Sequence, residues 1–293
     1  MNFFINPRFS TNDITIEKLY LGKLTNSQSL LPSVNKIKLS ERLFHEIRFM
    51  SAANWFIKHQ DNRTGGWPVN VRRISYGRKA LKPGWYSAMG QGQAISLLVR
   101  AYNYTGNRLY LEACHRALDL FNVNIKRGGI RSYFLDQSDL VWFEEYPFDP
   151  PIHVLNGFIY SLIGLYDYIK LLVNSPDPSA SSYLSEAQIH LDTGLTSLSR
   201  LLPLFDSGSG SFYDLRHLST DYNHRPVKKI ESKLAKNAFQ LFTGPNRARW
   251  SYHSLHIKQL QTLSDLDPTH AIQWNTTADR WIAYLQGFRS LQN

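Results

Sequence analysis

VLNGFIYSLIGLYDYIKLL, from Val154 to Leu172, decides the fold class. Val154, Phe158, Leu162, Leu165, Ile169 and Leu172 recur at spacings of three and four, the signature of a helix with one apolar face. The same period extends outward in both directions. Leu43, Ile47, Met50, Ala53 and Ile57 predict a helix after an N-cap at Ser40 and before Gly65-Gly66. Ile95, Leu98 and Tyr102 predict a second, closed by Gly106. Leu109, Ala113, Ala117 and Leu120 predict a third, opened by Asn107 and ending near Gly128-Gly129. C-terminal to the central helix, Ala187, Leu191, Leu195, Leu198 and Leu202 predict a helix stopped by Pro203. Leu255, Leu260 and Leu263 predict another, and Trp274, Ala278, Trp281 and Leu285 the last. Between helices lie longer stretches rich in aromatics, glycine and charge. Gly129 to Pro151 reads as short strands or an ordered loop, and LFDSGSGSFYDLRH as a hairpin around Gly208-Ser209-Gly210. The pattern predicts a mainly α fold: an α/α toroid, or incomplete α/α barrel, of antiparallel helix pairs with a few short β hairpins in the loops. No fixed repeat period is present, which argues against a regular solenoid.

The 293 residues suffice for one large domain or two small ones, and 43% hydrophobic content supports a buried core and argues against disorder. No apolar run reaches the ~18 residues that span a membrane, and Phe3-Phe4-Ile5 is too short for a signal-peptide core. The net charge of +10 fits either solvated surface lysines and arginines or attraction to a polyanion. The charges are dispersed, so a nucleic-acid-binding tail is not expected. Cys114 is the single cysteine, so no internal disulfide can form, and its neighbours Leu111, Ala113 and Ala117 predict a buried helical thiol. Three glycosylation acceptor triplets begin at Asn62, Asn103 and Asn275 and are compatible with a secretory lumen. Residues 1–39 differ from the rest. Asp13 to Gly22 alternates like a strand and Ser27 to Ser33 reads as linker, so 1–39 is expected to be a β-domain remnant preceding a helical domain at 40–293.

Three segments centre a tyrosine among charged or polar neighbours: EEYP (Glu144 to Pro147), FYDLRH (Phe212 to His217) and ARWSYH (Ala248 to His253). A tyrosine can abstract or donate a proton once its environment moves its pKa from ~10. Several such groups around one carbon suit removal of a proton from one face and its return to the other. Each tyrosine also has a plain reading as a packed loop residue, Glu145 as a surface carboxylate, and Arg216 as a surface partner of Asp214. Gly90-Gln91-Gly92-Gln93 lacks the third glycine of a dinucleotide fingerprint and reads as close helix packing. His253 and His256, three apart, and His45-Glu46 without a second histidine do not make a zinc motif. No metal and no cofactor is expected. Trp85, Tyr86, Trp142, Phe143 and Trp250 near loops fit sugar stacking or burial at helix ends.

Those tyrosine segments, with GGWPV (Gly65 to Val69), KPGWYSAMGQGQAISLLVRAY (Lys82 to Tyr102), VLNGFIYSLIGLYD (Val154 to Asp167) and LLPLFDSGSGSFYDLRH (Leu201 to His217), resemble the C-terminal domain of glucuronyl 5-epimerases. The similarity runs from about Ser40 to the C-terminus in matching order. It implies an isomerase that converts glucuronate to iduronate within heparosan or N-sulfo heparosan, the heparan sulfate and heparin precursor. It implies Tyr146, Tyr213 and Tyr252 as catalytic, with Glu145 as a second proton-transfer group or a modulator of Tyr146. It implies Arg216 as a substrate-binding residue, with Arg249 and His217 beside it. A proton alpha to a carboxylate leaves only if a cation neutralises the growing charge, and a guanidinium clasps a carboxylate bidentately. The resemblance further implies a Golgi-lumen homodimer whose β-rich N-terminal domains help build the substrate groove. The chain departs from the family at 219–246, where a lysine-bearing segment replaces a short connection; an inert surface insertion is the leading expectation. Two other functions share the same residues: a non-catalytic module binding acidic polysaccharide, and a uronate lyase.

Overall fold

The computed structural model describes residues 41–75, 78–173, 175, 180–218 and 244–290. The strand expected at Asp13 to Gly22, the linker, the Ser40 cap and most of the 219–246 segment lie outside the described residues. The chain divides into two units, one ending at Glu46 and one beginning at Ile47. Of the first, residues 41–46 are described, as the opening of helix α1 (Glu41–His59). The second unit holds every other described element.

Helices dominate it: α2 (Ala88–Thr105), α3 (Arg108–Ala117), α4 (Asp119–Asn122), α5 (Leu155–Val173), α6 (Ala180–Leu201), α7 (Trp250–Leu266) and α8 (Ala271–Leu285). Their ends follow the capping chemistry of the sequence. Ser87 accepts from Gly90 N at the start of α2, and Gly106, at φ 69°, takes the left-handed turn that closes it. The Asn107 side chain then accepts from Leu109 N at 3.1 Å and opens α3. Pro203 lacks the N–H a helix needs, and α6 gives way to a 3₁₀ turn, Leu202–Phe205.

The expected third helix is corrected at its C-terminal end. It stops at Ala117, and the backbone tightens to i−3 bonds from Leu118 N to His115 O and from Phe121 N to Leu118 O. That shift rotates Leu118, Leu120 and Phe121 together into the core, where all three are buried.

α5 is the hub, packing against α2, α6 and α7. Glycines permit the tightest approach. A Cβ on Gly164 would lie 2.3 Å from the Gly92 carbonyl, and one on Gly92 2.4 Å from the Tyr160 carbonyl. The close-packing role read for Gly92 is therefore the observed one. Trp142, fully buried, stacks on Phe158 of α5 with ring centroids 3.8 Å apart. Cys114 is buried as expected, and burial pushes its thiol far above the usual range.

Strands come only as short antiparallel pairs among the described residues: β1 (Pro68–Val69) with β2 (Trp85–Tyr86), β3 (Arg131–Tyr133) with β4 (Val141–Phe143), and β5 (Phe212–Asp214) with β6 (Asn246–Arg247). The hairpin read around Gly208-Ser209-Gly210 needs correction. A single bridge, Asp206 to Ser211, closes that turn, and β5 pairs with the distant β6. The reason is Asp206. Its carboxylate accepts from Gly208 N at 2.8 Å, Arg280 Nε at 2.7 Å, Trp281 Nε1 at 3.1 Å and the Tyr284 hydroxyl at 3.1 Å. That ties the turn to α8 and frees the next residues to pair elsewhere.

Ser211 locks the same corner to α7. Its N–H donates to His253 Nδ1 at 3.1 Å, which leaves the His253 proton on Nε2, donating to the Trp281 carbonyl at 3.0 Å. Its hydroxyl lies 2.8 Å from His256 Nδ1. Burial drives His256 down to about 3 and His190 to about 4, the second helped by the Arg131 charge. These rings are neutral in the fold and take a proton near 6.5 once unfolded. Stability is therefore lost as pH falls below 6.5, by at most ~2 kcal/mol per histidine at pH 5. His256→Gln should flatten the fall in melting temperature between pH 6.5 and 4.5. An identical acid slope in the variant would remove His256 from the cause.

Candidate active site

Three backbone connections assemble the site. Ala88 N, opening α2, donates to the Glu144 carbonyl at 2.9 Å. Val154 bridges Asp214, and Leu215 N donates to Ile152 O at 2.9 Å, so the segment after EEYP lies along β5. Phe212 pairs with Arg247, and Ala248 N donates to Ser211 O at 2.9 Å, which delivers the first turn of α7 to the same strand. The three tyrosine segments, remote in sequence, meet there.

Glu144 fixes the floor. It is fully buried and accepts from Ser132 Oγ at 2.7 Å and His153 N at 3.1 Å, with His153 Nδ1 2.7 Å away. His153 reaches it in a left-handed conformation, φ 55°.

Glu145 is only 3% exposed, and its carboxyl is pushed up to about 7. Burial is the main cause, and the charges of Asp214 and Glu144 add to it. The Tyr146 hydroxyl and the Arg73 charge oppose it. The Tyr146 hydroxyl lies near enough to Glu145 to lower its carboxyl's proton affinity, and the Tyr213 hydroxyl near enough to Tyr146 to lower that of its phenol. Burial, then the Glu145 charge, holds both phenols far above their usual range, so both are protonated. Tyr252 closes the row, its ring edge-on to Tyr213 with centroids 4.9 Å apart. Glu145, Tyr146, Tyr213 and Tyr252 thus form one contiguous line. Tyr146 and Tyr213 rest on a small apolar cluster of Phe148, Ile152 and Val154, joined by Leu81.

The three predicted binding residues are placed differently. Arg216 is drawn onto buried Asp214, with Nε donating at 2.7 Å and Nη2 at 2.5 Å; Asn246 Nδ2 also donates to Asp214, at 2.7 Å. The surface pair considered for Arg216 and Asp214 is in fact an interior one, its carboxylate fully buried. His217 packs against Phe212, ring centroids 5.3 Å apart, and burial lowers its pKa. Phe212 and Asp214 flank Tyr213 in β5, whose pairing with β6 shifts register between them. Arg249 occupies the N-cap position of α7, exposed and without a side-chain capping bond.

Three residues were not singled out from the sequence. Arg73 stands over the Tyr146 ring, its guanidinium carbon 4.6 Å from the centroid. Asn156 Nδ2 reaches toward Glu145 Oε2 at 3.5 Å, while its buried Oδ1 has no protein partner. Gly157 gives Glu145 its room, since a Cβ there would lie 2.5 Å from Oε2. A glycine in the first turn of a strongly apolar helix was the available signal. Trp85, considered for sugar stacking, lies against Tyr146 with centroids 5.8 Å apart. Among the described residues no cluster of His, Cys, Asp and Glu could hold a metal ion.

The sequence matches a known group of proteins. The family described as D-glucuronyl C5-epimerase C-terminus matches residues 60–231. A D-glucuronyl C5-epimerase of Caenorhabditis elegans is 40% identical over 277 residues, 94% of this chain and 39% of that protein. An uncharacterized protein of Methanocaldococcus jannaschii is 33% identical over 137 residues, 46% of this chain and 41% of that protein. The chain spans about two fifths of the length of these curated relatives. By these matches the chain belongs to the family of the D-glucuronyl C5-epimerase C-terminus.

Proposed function

We propose that this chain carries the catalytic site of an isomerase that inverts carbon 5 of D-glucuronate to L-iduronate within heparosan or N-sulfo heparosan. The observation that carries this reading is the contiguous row of Glu145, Tyr146, Tyr213 and Tyr252, with a buried carboxyl at one end poised near neutrality. A group with a pKa near the working pH is the most effective general base or acid. In the proposed reaction the Glu145 carboxylate takes the proton from carbon 5. The C–H electron pair delocalises into the adjoining carboxylate, and a tyrosine hydroxyl at the far end of the row returns a proton to the opposite face. A shift of protons along the hydroxyls from Glu145 resets the row, so no net proton is consumed. The reverse course uses the same groups.

Family membership also supports a Golgi-lumen location and a homodimer as proposals. The three acceptor asparagines, Asn62, Asn103 and Asn275, are all exposed. None of the described helices is long and apolar enough to cross a membrane.

Incubation with N-sulfo heparosan in heavy water tests the reading. Deuterium at carbon 5 with iduronate appearing is the expected result. Binding without exchange would instead identify a polysaccharide-binding module, and an unsaturated, ultraviolet-absorbing product a lyase.

A further inference from the structure

A uronate carboxylate must be neutralised while carbon 5 loses its proton, and the cation that does so must reach the proton-transfer groups. Arg216 is engaged by buried Asp214, which binds its Nε and Nη2. Arg73 is placed otherwise. Its backbone exchanges both hydrogen bonds with Leu81, Arg73 N to Leu81 O at 3.0 Å and Leu81 N to Arg73 O at 2.9 Å. Leu81 packs into the apolar cluster that carries Tyr146 and Tyr213. That pairing anchors the residue, while the side chain is exposed and its guanidinium lies on the Tyr146 ring. Trp85, leaving the same excursion between β1 and β2, packs against that ring as well. A cation held by a ring face keeps its N–H edge available to a ligand.

We propose that Arg73 is a catalytic residue of this site, the guanidinium that receives the substrate's uronate carboxylate over the Glu145–Tyr146 pair. Its positive charge stabilises the second negative charge that develops as the carbon 5 proton moves to Glu145. This assignment rests on the reading of the row as a uronate site, but it can fail separately.

Two measurements on the full chain decide it. In carbon 5 deuterium exchange, Arg73→Gln should lower the rate by ~10²-fold at saturating substrate, with Arg73→Lys restoring part of the loss. The pH midpoint of kcat/KM should also move upward in Arg73→Gln, because a cation favouring ionised Glu145 is gone. Arg72→Gln removes the same charge one residue away and controls for general attraction to a polyanion. The second measurement does not require turnover. A heparosan tetrasaccharide should bind the parent ~10-fold or more tightly than its carboxyl-reduced counterpart, and Arg73→Gln should lose that preference. Exchange absent from the parent, with this preference present and dependent on Arg73, would refute the isomerase reading and leave Arg73 as the carboxylate contact. Exchange and preference both unchanged in Arg73→Gln, or a parent indifferent to the carboxylate, would overturn the assignment.

Discussion

Glu145→Gln is expected to reduce carbon 5 exchange by ~10²–10⁴-fold, the usual contribution of a general acid or base, while making the protein more stable at pH 8. The two effects have one cause. Glu145 is buried and its carboxyl is raised to about 7, so ionising it in the fold costs more than ionising it in the unfolded chain. The sign follows from linkage. Its folded pKa is raised, so the stability it contributes is full below its ordinary carboxylate range and is lost as pH rises through 7. Above pH 7 the ionised group costs on the order of 2–4 kcal/mol, and the neutral amide removes that cost. Glutamine keeps the acceptor for the Tyr146 hydroxyl, and the Asn156 side chain offers its buried, unpartnered Oδ1 to the new N–H₂. Urea unfolding at pH 8 and at pH 5 checks the pair of claims. A variant less stable than the parent at pH 8 would show that ionised Glu145 is not strained, and turnover within threefold of the parent that it is not catalytic. Because Glu145 opposes the buried histidines in the acid range, the variant should also be the more acid-sensitive protein.

The second large effect concerns the scaffold. Gly164→Ala is expected to destabilise by ~3 kcal/mol or more, above the usual cost of an extra methylene, because the new Cβ meets backbone on the facing helix. It would lie 2.3 Å from the Gly92 carbonyl, and neither α2 nor α5 has a flexible side-chain end there that could yield. Gly90→Ala supplies the opposite case on α2, the facing helix. Its Cβ would find nothing nearer than Ser87 Cβ at 3.6 Å, so removal of a flexible helix residue should stabilise by ~0.5–1 kcal/mol. Two glycine-to-alanine changes with opposite signs separate helix crossing from helix propensity. Denaturation midpoints measure both, and equal shifts in one direction would refute the close-crossing account. Since the first turn of α5 holds Asn156 and Gly157 beside Glu145, displacement of α5 should also depress turnover.

The sequence by itself determined the helices and most of their ends. Apolar spacing of three and four, Ser87 and Asn107 as caps, and Gly106 and Pro203 as stops are local features, and local hydrogen bonding enforces them wherever the helix packs. It also marked Glu145, Tyr146, Tyr213 and Tyr252 as reactive candidates, through polar neighbours around each tyrosine and through family resemblance. The tertiary structure decided what depends on partners distant along the chain. β5 leaves the glycine turn for β6 because Asp206 is claimed by α8. Arg216, three residues from Tyr213, is drawn to Asp214, whose carboxylate the fold has fully buried. Arg73, seventy-three residues before Tyr146, reaches it only through the Leu81 pairing. Most of all, the proton affinity of Glu145 belongs to its burial, since the chemical group is an ordinary carboxylate until the fold removes water from around it.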